Sequence, residues 1–170
     1  METRATGQSK RQTSYEFYKK LYKLTVAGGV AFWAANFAIS LTPIAAEYRA
    51  ALSISYLPMI VASLIGGLII GFFVSYFLLR FFDKIPTKNP ILKSVILSFI
   101  VLIIVTILIG GPSSFLATSD FLRYFLIGTI FNILRILALG IGIGYLYKRL
   151  YWPARALVVG IGLPGYALFK

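Results

Sequence analysis

Residues 56–79 read YLPMIVASLIGGLIIGFFVSYFLL, a stretch without a single charged side chain. A helix rises 1.5 Å per residue and a bilayer core is about 30 Å thick, so about 20 apolar residues suffice to cross it. Three further runs of this kind occur, at Leu24–Ala46, Ser94–Gly110 and Tyr124–Tyr147. The connections between them are short, which makes consecutive helices antiparallel neighbours. The pattern implies an all-α integral membrane protein, an up-down-up-down four-helix bundle within residues 14–155. Pro43, Pro58, Pro86, Pro90, Pro112 and Pro153 fall near run ends or in loops, where a missing N–H does least harm.

The ends of the chain differ from this middle. Residues 1–13 are polar and read as disordered. Tyr15, Tyr18, Leu21 and Tyr22 then recur at helical spacing among Lys19, Lys20 and Lys23, as in an amphipathic flank at a membrane surface. That flank either anchors the first span or senses anionic lipid. Residues 156–170 are apolar but short and broken by Pro164-Gly165, so they form an interfacial or re-entrant tail, or a short fifth span. The first run is longer than a signal-peptide core, a long polar stretch precedes it, and Pro43-Ile44-Ala45-Ala46 is not a clean small-x-small site, so a cleaved signal peptide is not expected.

Composition narrows the chemistry. Hydrophobic residues make up 59% of the chain and the mean hydropathy is +0.85, far above an ordinary soluble domain. There is no Cys and no His, which excludes disulfides and thiolate chemistry and removes the commonest general base and metal ligand. The five carboxylates are Glu2, Glu16, Glu47, Asp83 and Asp120, none of them deep in an apolar run. Asp83 and Asp120 belong at opposite ends of the bundle and cannot pair for acid–base work. No cofactor, metal site or enzymatic reaction is expected.

The net charge of +12 follows topology rather than nucleic-acid binding. Fourteen of the 17 cations lie in the N-terminal segment, the 80–93 loop and the tail. The intervening loops hold only Arg49 and Arg123, beside Glu47 and Asp120. Because Lys and Arg accumulate on the cytoplasmic side, both termini are expected there, in a cell membrane with anionic lipids at its inner surface.

Arg135 breaks the pattern. It sits near the middle of the fourth run, too deep to snorkel, where an arginine costs about 2.5–3.5 kcal/mol on insertion scales. It should face the bundle interior. Asn132 is one turn away on the same face, and Asn36 belongs at similar depth on the first span. Gly128, seven residues earlier, leaves room for water or a ligand. These residues form either a polar clamp or an anion site, since an unpaired guanidinium prefers phosphate or carboxylate.

Small residues supply the remaining signal. Ser63, Gly67, Gly71 and Ser75 repeat every four residues along one helix face, and Gly140 and Gly144 do the same on the fourth span. Such stripes allow close backbone packing in lipid, within the chain or against a second copy. Gly140-Ile141-Gly142-Ile143-Gly144 has no preceding strand and no Lys-Ser/Thr, so it is no phosphate loop. Two functions remain. The first is a non-enzymatic subunit, assembly factor or scaffold acting through helix packing on a membrane partner or a second copy. The alternative is an oligomeric channel or flippase-like carrier for an anion or anionic amphiphile, using Arg135.

Overall fold

The computed structural model describes residues 2–113 and 119–151, with side chains at 14–107 and 122–151. The described residues form helices and no strand. In chain order they are α1 (Glu2–Ser40), α2 (Pro43–Ala51), α3 (Tyr56–Phe81), α4 (Pro90–Ser113) and α5 (Ser119–Leu150), with a 3₁₀ turn at Phe82–Lys84. Three helices are long and apolar enough to cross a membrane, and a fourth if α1 and α2 together form one bent span. The tail 156–170 lies outside the described residues.

The first apolar run is not one straight helix. α1 ends at Ser40 and α2 leaves it at 90°. Local chemistry explains the break. Thr42 sits at φ −79°, ψ 145°, as a residue before proline prefers, and its hydroxyl accepts from the Ala45 N–H at 3.3 Å. Pro43 opens α2 where its missing N–H has no consequence. On the other side of the break, Ser40 Oγ donates to the Phe37 carbonyl at 2.6 Å and Thr42 Oγ1 to the Ile39 carbonyl at 2.7 Å. The run expected to span at 24–46 is thus broken between Ser40 and Pro43, and α1 with α2 makes one span only as a bent pair.

At its other end, α1 begins at Glu2. In the flank, Leu21 and Leu24 are buried while Tyr15, Tyr18 and Tyr22 are exposed. Leu21 thus parts company with the tyrosines it was grouped with. α4 begins earlier than its apolar run because Asn89 caps it: Asn89 Oδ1 accepts from the Ile91 N–H at 3.0 Å, and Pro90 takes the first helical position.

α1 packs along both α3 and α5, and α4 packs mainly along α5. The two ends of this assembly differ. Near Lys93, the side chains of Leu24, Val74, Leu78, Phe82, Leu139, Ile143 and Tyr147 form a buried cluster. Phe82 and Tyr147 stack there with ring centroids 4.8 Å apart, and Lys93 Nζ donates to the Phe82 carbonyl over the Phe82 ring. Toward α2 the packing loosens. No residue of α3 before Gly67 is buried, and none of residues 102–107 in α4 is.

Candidate functional site

Arg135 lies midway along α5, in the loosely packed region. Its Nη1 donates to Asn132 Oδ1 at 3.0 Å, one turn back on the same helix. The guanidinium carbon stands 6.0 Å from the Phe131 ring centroid. Its Nε is buried with no hydrogen-bond partner. Among the described residues no carboxylate pairs with it. Glu47 is instead held by Arg123 at 2.8 Å, both side chains being more than half exposed.

Asn36 faces the same space from α1. It is 1% exposed, and neither its side-chain nitrogen nor its oxygen has a hydrogen-bond partner. Asn36 and Arg135 line one open groove of about 460 Å³, with Ser63, Gly66, Met59 and Pro58 of α3 on the opposite wall. The polar clamp between Asn36 and Arg135 is not made. Arg135 takes its partner from its own helix, and both polar atoms of the Asn36 amide are buried without a partner. An unsatisfied buried polar group costs about 1–3 kcal/mol.

A second cavity, about 240 Å³, lies beneath α2. Tyr48 on α2, Phe125 and Thr129 on α5, and Val101 and Val105 on α4 bound it. Phe32 and the Asn132–Arg135 pair link the two spaces, since Phe32 lines both, Asn132 the second and Arg135 the first.

Gly128 lines this second cavity, with Tyr48 packed close beside it. A Cβ there would meet Tyr48 Oη at 2.8 Å, so the phenol already occupies that space. Tyr48 is further held edge-on to Phe131, with centroids 5.7 Å apart. Sequence reasoning missed Tyr48 and Phe32. The Thr42-Pro43 break was the one available signal, because it turns the next helix, and Tyr48 with it, back over α5.

The small-residue stripes face neighbouring helices of the same chain. Gly67 lies against Phe32 and Gly29 of α1. At Gly71 a Cβ would stand 3.0 Å from the Thr25 carbonyl oxygen. Gly140 abuts Val95 and Ser98 of α4, and at Gly144 a Cβ would stand 2.5 Å from the Ile91 Cα. Ser75 is fully buried, and its hydroxyl has no partner. Ser63 lies apart from these contacts: it lines the groove, with its hydroxyl donating to the Ile60 carbonyl at 2.8 Å. Comparison with protein-family models, curated proteins and solved structures finds no match for this chain.

Proposed function

We propose that this chain is a multi-pass membrane protein, an up-down-up-down four-helix bundle with both termini cytoplasmic, that binds an anionic group at Arg135. Its role in this reading is that of a non-enzymatic, flippase-like carrier or channel component for an anion or anionic amphiphile. One observation carries it: Arg135 and Asn36 line the same open groove, no carboxylate is among its lining residues, and the buried Asn36 amide has no partner within the chain. A guanidinium at this depth and an orphaned amide together cost several kcal/mol. A phosphate or carboxylate oxygen accepting from both offsets that cost with charge-assisted hydrogen bonds.

The scaffold reading rests on the small-residue stripes and on the shortage of reactive side chains. The glycines of those stripes are taken up in packing α1 on α3 and α4 on α5, which leaves that reading less to stand on. The discriminating experiment reconstitutes the full chain in proteoliposomes and follows efflux of small anions and inward movement of a phosphate-headgroup lipid. Wild type moves one of these classes, and Arg135→Ala slows it at least tenfold. Equal rates for the two proteins return the chain to the scaffold class.

A further inference from the structure

We propose that the cavity beneath α2 is a hydrocarbon-chain site, which takes the tail of the same amphiphile whose anionic head Arg135 holds. This rests on the proposed anion site and adds the chemical class of its ligand: an alkyl chain joined to a phosphate or carboxylate, rather than a free inorganic anion.

The walls are suited to a chain. Ile70, Val101, Val105, Phe125 and Ile136 present apolar surface. The polar side chains among them are Tyr48, Thr106, Thr129 and Asn132, and two of them are engaged within α5. Thr129 Oγ1 donates to the Phe125 carbonyl at 2.8 Å, and Asn132 Oδ1 accepts from Arg135. Thr106 adds one further hydroxyl. The volume of about 240 Å³ equals about eight water volumes. A methylene is of similar size, so the cavity accepts a segment of about eight carbons.

Continuity ties this space to the head site. Phe32 forms a wall of both, and the hydrogen-bonded Asn132–Arg135 pair crosses from one to the other. In this proposal a ligand with its head at Arg135 passes the Phe32 ring and lays its chain in the chamber beyond. The loosely packed flank of α4, where residues 102–107 are not buried, leaves a lateral way in for a chain. The cluster around Leu78, Leu139 and Ile143 seals the opposite end.

The test uses the full chain in lipid nanodiscs and two probes, butyl phosphate and decyl phosphate, titrated calorimetrically. Val105→Trp fills the chamber. Thr129→Phe does so from another wall and is read in its place if the first variant does not fold. Partition of each probe into the nanodisc is common to all variants and cancels in the comparison. The expected result is a decyl-to-butyl affinity ratio at least tenfold lower in the filled variant than in wild type. An unchanged ratio overturns the proposal, because bulk lipid then fills the chamber. Arg135→Ala separates the two readings. If it leaves both affinities untouched, the head site fails. If decanol then still binds wild type and is excluded by Val105→Trp, the cavity stands as a chain site by itself.

Discussion

Arg135 donates its hydrogen bond to Asn132 on its own helix and leaves Asn36, across the groove, without a partner. Both polar atoms of the Asn36 amide are buried and unpaired within the chain. This predicts the behaviour of Asn36→Leu. Removing an unsatisfied polar group leaves stability unchanged or raises it by about 1–2 kcal/mol, while affinity for a phosphate-headgroup probe falls. Thermal unfolding in detergent and a binding titration read the two effects. A stability loss above about 2 kcal/mol would mean that Asn36 has a structural partner after all.

Gly144→Ala and Gly66→Ala should diverge. At Gly144 a Cβ collides with the backbone of α4, whereas at Gly66 it meets nothing within 4 Å. The first substitution should cost about 1–3 kcal/mol through overpacking. The second should gain up to about 1 kcal/mol from helix propensity. Unfolding midpoints of the two variants, measured side by side, check the contrast.

Thr42→Ala removes the hydroxyl that caps α2. We expect a loss of about 1 kcal/mol and a weaker hold on Tyr48, whose ring then leaves the Gly128 notch. The chain has no cysteine, so a spin-label pair introduced at Ala50 and Leu126 reports the distance between α2 and α5 directly. A distance distribution identical to that of the parent pair would show that the cap does not position α2.

Glu47→Gln should change stability by less than about 1 kcal/mol, since the ion pair with Arg123 is exposed on both sides and such pairs contribute little. Raising the salt concentration should abolish even that difference. A larger, salt-independent loss would assign the pair a role in holding α2 on α5.

Orientation is accessible through the same lack of cysteine. Lys88→Cys should react with an impermeant maleimide only from the cytoplasmic side, and Ser53→Cys only from the opposite side. The reverse pattern would contradict the distribution of cations between loops.

The sequence was legible where hydropathy alone decides. The runs at 56–79, 94–110 and 124–147 each fall within a single helix, α3, α4 and α5 respectively. It misled at Ala46, because the apolar run continues through Ile44–Ala46 while the backbone is governed by Thr42 and Pro43. Capping is chemistry of single atoms and leaves no trace in a hydropathy window. Arg135, Asn132 and Asn36 were all visible as polar residues in apolar runs. Which of them would pair was not visible, because that depends on the rotation of α1 about its own axis, set by the Gly28, Gly29, Gly67 and Gly71 contacts. Tyr48 was hidden for a related reason: its place over Gly128 follows from a 90° bend that periodicity does not encode.

The claim that the Arg135 groove receives an anion precedes any claim about transport, and equilibrium binding tests it directly. Octyl phosphate is titrated into nanodiscs holding wild type, Arg135→Lys or Arg135→Ala, each shown by circular dichroism to retain its helix content. The account predicts saturable binding to wild type, weaker binding to Arg135→Lys because an ammonium lacks the planar fork, and a loss of at least tenfold with Arg135→Ala. Equal affinity across the three proteins would contradict it.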